Sequence, residues 1–175
     1  MKKFVKMLSL VCLLLMAPIL MFGCKEKANG NIDDDIKMNY ITCVKYNYQS
    51  GGNAFYFEIE INNNNSKDAI IWVNNFNVEL VYNPETYESD HKDYSTNISF
   101  TIYTSRNENI YSDAVNANDY FSVRANSKST IYVCISNMST RKTLVDADGR
   151  NHSYYIKNAN ISYNANQIAS IYLND

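Results

Sequence analysis

Between Asn53 and Asn62 the side chains change character at every step. Phe55, Phe57, Ile59 and Ile61 fall on one side of an extended backbone, and Tyr56, Glu58, Glu60 and Asn62 fall on the other. A helix repeats its faces every three to four residues and would scatter that apolar set, whereas a strand gathers it on one face and leaves the other to water. The pattern returns at Phe76, Val78, Leu80 and Tyr82, which alternate with Asn77, Glu79, Val81 and Asn83 after an apolar lead of Ile70-Ile71-Trp72-Val73. Six further segments carry it: Met38–Tyr48, Asn97–Thr104, Asp119–Arg124, Ser129–Asn137, Ser153–Tyr163 and Gln167–Leu173. With about eight short strands and no amphipathic helix between them, the expected fold is an all-β, antiparallel β-sandwich, because one-sided strands need a second sheet to cover them.

The connections must be made with little glycine. Gly51-Gly52 and Gly149 are the glycines of this region and Pro84 is its proline, so Asn is expected to take many of the left-handed turn positions. Asn62-Asn63-Asn64-Asn65 reads as a hairpin loop, Asp148-Gly149 as a hairpin turn, and the aperiodic Glu85–Thr96 as a surface loop.

The N-terminus has a different character. Lys2, Lys3 and Lys6 precede an apolar run from Met7 to Phe22, which ends at Gly23-Cys24 and gives way at once to Lys25-Glu26-Lys27. This is the layout of an export signal, and the run is shorter than the roughly 20 apolar residues that a membrane-spanning helix requires. Leu20-Met21-Phe22-Gly23-Cys24 resembles the lipobox of bacterial lipoproteins, with Met21 and Phe22 departing from its usual residues. The resemblance implies a signal peptide at 1–23, lipidation of Cys24 after cleavage, and anchoring at the extracytoplasmic face of the cell membrane. Residues 24–36, with Asn29-Gly30-Asn31 and Asp33-Asp34-Asp35, read as a lipidated cysteine followed by a flexible, solvated tether, and 37–175 as one domain. The three aspartates lack the ligand spacing of a calcium loop.

Loss of the signal removes three lysines and leaves an acidic domain without a Lys/Arg cluster, which argues against a nucleic-acid partner. Cys43 and Cys134 are then the cysteines remaining beyond the lipid site, and they either bridge or sit as two separate buried thiols. His91 and His152 belong to no nucleophile–base motif, and neither they nor the cysteines show metal-ligand spacing, so no catalytic residue, metal or cofactor is assigned. Asp146-Ala147-Asp148-Gly149 departs from a calcium loop in the position of its glycine. Glu58 and Glu60 share one strand face, a pairing that would interest a glycoside hydrolase but more simply forms a solvated surface.

The lipobox and tether, the strand Phe55–Asn63, the Phe-x-Val-x-Leu strand at 76–80 and the late Ser129-Thr130-Ile131-Tyr132-Val133 together resemble the immunoglobulin-like, telokin-like domains of uncharacterised bacterial lipoproteins. That resemblance covers most of Lys37–Asp175 and implies a binding or scaffolding role outside the cell. All 15 tyrosines follow Cys24, and Tyr56, Tyr132 and Tyr154 fall opposite the apolar stripes of their strands. These three form the expected ligand face, since exposed Tyr suits recognition of a protein or a cell-wall glycan. Two function classes follow: a non-catalytic, membrane-anchored binding lipoprotein, and, as the alternative, an extracytoplasmic hydrolase of envelope glycans.

Overall fold

The computed structural model describes residues 29–33, 35–47, 53–85, 92–136, 138–145 and 148–173. The signal at 1–23, Cys24, Asp34, Gly51-Gly52, His91, the start of the 85–96 loop, and Asp146 lie outside the described residues. The first half of the chain forms β1 (Asn29–Asp33), β2 (Ile36–Asn47), β3 (Asn53–Asn63), β4 (Ala69–Trp72), β5 (Phe76–Pro84), β6 (Tyr94–Asn97) and β7 (Thr101–Asn107). The second half forms β8 (Ile110–Val115), β9 (Tyr120–Val123), β10 (Ser127–Ile135), β11 (Arg141–Val145), β12 (Asn151–Tyr163) and β13 (Asn166–Tyr172). A single 3-10 turn at Val73–Asn75 is the one helical element among the described residues.

The strands build an antiparallel sandwich. One sheet has the order β1-β2-β3-β10-β7-β8, the other β11-β12-β5-β6 with β13 also on β12, and β4 and β9 form a separate two-stranded ribbon. Phe57, Ile59 and Ile61 of the first sheet meet Val78, Leu80, Ala159 and Ile161 of the second in one buried core, so the alternation in the sequence is the alternation between core and surface. At one side β1 and β2 lie against β13, bringing the two sheets together.

Thirteen strands stand where about eight are expected. Those without a sequence signature are β6, β8 and β11, short surface strands whose apolar residues do not alternate with polar ones, and β1, while β4 falls in the uniformly apolar lead. Residues 29–33, expected in the flexible tether, pair with β2 as an edge strand. A backbone ladder can add such a strand without any hydrophobic pattern to read.

Single-residue bulges change which face a side chain takes. In β2 the register slips between Tyr40 and Thr42, turning Ile41 out to solvent at 50 % exposure and placing Cys43 opposite core-facing Phe57. In β12 it slips between Ile156 and Asn158. A one-residue slip inverts the alternation, so Tyr154 lies on the core side with Ile156 although it is out of phase with Ile161 and Tyr163. Tyr154 is only 8 % exposed, which corrects its assignment to a ligand face.

Asn62–Asn65 is also not a hairpin loop. The chain leaves β3 there for β4 in the ribbon, and Asn63, fully buried, ties the junction. Its side-chain amide donates to the carbonyls of Lys67, Val123 and Arg124 at 3.0–3.1 Å and its carbonyl accepts from Asn65 N–H. A buried amide is tolerated because its capacity is filled. The Asp148-Gly149 turn lies between β11 and β12, with Gly149 at φ +80°. Asn126 and Asn164 take positive φ, as Asn is expected to, but so do Glu108, Asp113 and Ala165.

Candidate functional site

Tyr56 and Tyr132 do lie on the outer face of the six-stranded sheet, in β3 and β10, but another part of the chain covers them. The β7–β8 hairpin stops pairing with β10 after Tyr103, level with Asp113, a non-glycine residue at φ +57° whose carbonyl accepts a hydrogen bond from the Thr104 hydroxyl. Beyond that point it folds back across the face. Arg106 passes over β10 to reach Glu58 of β3 at 3.6 Å, and at the hairpin tip Asn109 Oδ1 accepts a hydrogen bond from the Tyr46 hydroxyl of β2 at 3.1 Å. Tyr111 is thereby stacked on Tyr56 with centroids 3.9 Å apart and meets Tyr132 edge-on at 5.1 Å. Tyr46 and Tyr103 complete the cluster, and the Arg106 guanidinium lies over the rings of Tyr111 and Tyr132.

This cluster is an aromatic layer closed upon itself. Burial, then the neighbouring Tyr46 hydroxyl, pushes the Tyr111 phenol far above its ordinary range, with Arg106 opposing. Burial also raises Tyr132, helped by the Glu58 carboxylate and opposed by Arg106. Beneath the rings the Cys134 thiol is raised by burial, against a hydrogen bond from Tyr56.

The remaining sequence candidates separate. Glu58 is paired with Arg106, and Glu60 with Lys128 at 2.9 Å. No disulfide joins Cys43 and Cys134. Cys43 pairs with Phe57 on one side of β3 and Cys134 with Tyr56 on the other, so they stand two strands apart and on opposite faces of the sheet. Two strand spacings come to about 9.5 Å, beyond the roughly 7 Å that a disulfide spans, and this settles the alternatives in favour of separate thiols. His152 lies in β12 opposite Leu144. No group of three or more His, Cys, Asp and Glu among the described residues is placed to hold a metal ion.

An exposed aromatic pair lies elsewhere, on the ribbon, apart from the single exposed rings of Tyr155 and Tyr172. Trp72 of β4 pairs with Tyr120 of β9, and Ile70 with Ser122, so these four share one face while Ala69, Ile71, Phe121 and Val123 take the other. The inner face joins the core. On the outer face Ile70 is 55 %, Trp72 42 % and Tyr120 51 % exposed, and the two rings lie 5.1 Å apart. The ribbon is held firmly: Trp72 N–H donates to the Tyr163 hydroxyl at 3.2 Å, Val73 N–H to Asp119 O, and Asn63 holds the carbonyls of Val123 and Arg124. Beside Tyr120 a shallow depression is lined by Thr104, Asp113, Ala114, Val115 and Asp119.

Comparison with protein-family models, with curated proteins and with solved structures found no match. What the ribbon can do therefore follows from its chemistry. Trp72 and Tyr120 offer two exposed rings, tilted to each other and fixed on a rigid backbone, with hydroxyl and carboxylate groups at their border, an arrangement for binding. A period of two puts Ile70 and Trp72 on one face and Ile71 and Val73 on the other, but all four are apolar, so the sequence does not say which face is open. Trp72 is the only tryptophan of the chain.

Proposed function

We propose that this chain is an extracytoplasmic lipoprotein, cleaved before Cys24, held at the cell membrane by lipid on that cysteine, and that its domain binds a protein or a cell-envelope ligand without catalysis. The observation that carries the binding reading is the water-exposed Trp72–Tyr120 pair on a ribbon pinned to the core. Exposed rings on a rigid support lose little conformational freedom on binding, which is the property of recognition surfaces. The anchoring reading is supported by the charged start, apolar run and Gly23-Cys24 junction. Kinship with the immunoglobulin-like, telokin-like lipoprotein domains belongs to the same proposal.

Two experiments test it. Labelled palmitate is expected in the wild-type protein and absent from Cys24→Ala, which accumulates as the heavier precursor; equal labelling of the two would remove the anchor. Crosslinking on intact cells is expected to recover a ligand whose yield falls in Trp72→Ser and stays level in His152→Ala. Turnover of an envelope glycan by the purified protein, abolished by replacing one carboxylate, would instead establish a hydrolase.

A further inference from the structure

Trp72 and Tyr120 meet with their ring planes 58° apart. Two rings at that angle make an open platform, whereas a site for a quaternary ammonium closes several rings around the cation. The polar border of the platform is unevenly used. Asp119 Oδ2 accepts one hydrogen bond from Asn116 at 2.8 Å, and Asp113 Oδ2 has a long contact with the Ser112 hydroxyl at 3.5 Å. A carboxylate offers about four lone-pair sites, so both groups keep acceptor capacity at the edge of the depression. The Thr104 hydroxyl stands at the same edge and donates to the Asp113 carbonyl.

A pyranose ring matches this layout. Its axial C–H bonds form an apolar face that stacks on an aromatic ring, and the hydroxyls around its rim donate to carboxylates. A protein partner matches it less well, because an ordinary interface takes about 20–30 residues a side and the apolar part here is two rings and Ile70. The two aspartates also repel phosphate, sulfate and uronate groups. We infer that the Trp72–Tyr120 platform and the adjoining Asp113–Asp119 depression bind an uncharged glycan, one or two sugar rings at a time. This rests on the binding reading above and names its ligand.

Trp72, as the only tryptophan, reports on the site directly. The full chain, expressed in its membrane form and solubilised in detergent, is titrated with neutral tetrasaccharides of glucose, mannose, galactose and N-acetylglucosamine, and separately with oligogalacturonate and choline chloride. A saturable change in emission is expected for at least one neutral tetrasaccharide and none for the charged compounds. Trp72→Ala removes the reporter, so its binding is measured by retention on a column bearing that tetrasaccharide, with a loss of about tenfold or more expected for a platform ring. Trp72→Phe is expected to retain part of the affinity, and Asp119→Asn to weaken it several-fold at an unchanged melting temperature. No saturable change with any neutral tetrasaccharide, a change with choline alone, or undiminished retention of Trp72→Ala would each overturn the inference. Its failure is separable from failure of the broader reading. A crosslinked protein partner lost in Trp72→Ser, with no glycan response, ends the glycan site and keeps the binding module, whereas absence of both signals ends both.

Discussion

Two groups of aromatic side chains occupy the surface of this sandwich under opposite conditions. On the outer face of the six-stranded sheet, Tyr46, Tyr56, Tyr103, Tyr111 and Tyr132 have found one another, and the β7–β8 hairpin lies over them. On the ribbon, Trp72 and Tyr120 touch each other and keep about half of their surface in water. The chemistry is similar, and the difference is whether chain is available to fold over the rings. The first group stabilises the protein by removing its own apolar surface from water, while the second leaves that free energy for a ligand.

The sharpest way to break the comparison is Tyr111→Ala. It removes the ring that covers Tyr56 and carries Arg106, and is expected to cost about 3 kcal/mol in urea unfolding. A cost near that of an exposed residue would mean that the hairpin does not lie closed on the sheet. Asn63→Ala attacks the support of the ribbon instead. Three carbonyls and the Asn65 N–H lose their partner, for an expected destabilisation of about 2 kcal/mol together with faster amide exchange in β4 and β9. Unchanged exchange there would show that the ribbon is held by its apolar face alone.

Tyr163→Phe is finer, since it deletes only the hydroxyl that receives Trp72 N–H and the Asn75 amide. About 1 kcal/mol is expected, with altered Trp72 emission as the local readout. Trp72→Ala is expected to cost clearly less than Tyr111→Ala despite the larger ring, because Trp72 keeps 42 % of its surface in water. A loss matching that of Tyr111→Ala would erase the distinction between the two groups.

Alkali sharpens the contrast further. Tyr111 and Tyr132 have phenol pKa values raised in the folded state, so they stay protonated there while the unfolded chain begins to ionise above about pH 10. Protons are then bound by the folded state and not by the unfolded one, and stability falls as pH rises beyond that point, having been level in these groups at lower pH. Phenolate absorbance is expected to rise in two stages, Tyr111 and Tyr132 contributing only as circular dichroism reports unfolding. Full ionisation of every tyrosine with the sheet intact would refute the closed layer.

The period of two in Phe55–Ile61 and Phe76–Tyr82 was enough to determine an all-β sandwich and most of its core, because alternation is a local property of a strand that any second sheet will satisfy. The same logic places Tyr56 and Tyr132 on the outer face, and it separates Trp72 from Ile71 when applied residue by residue. Tertiary structure alone decided the rest. A bulge beyond Ile156 sent Tyr154 inward, and another at Ile41 set Cys43 on the face opposite Cys134. The β7–β8 hairpin, leaving β10 after Tyr103, laid Tyr111 over the tyrosines that the strand pattern marks as open. A bulge or a folded-back hairpin depends on the partner strand and on what lies across the sheet, and those neighbours are distant in sequence: Tyr111 meets Tyr56, and Tyr46 meets Asn109, only once the chain has closed. Local pattern fixes which side chains need cover, whereas the long-range fold determines which of them receive it.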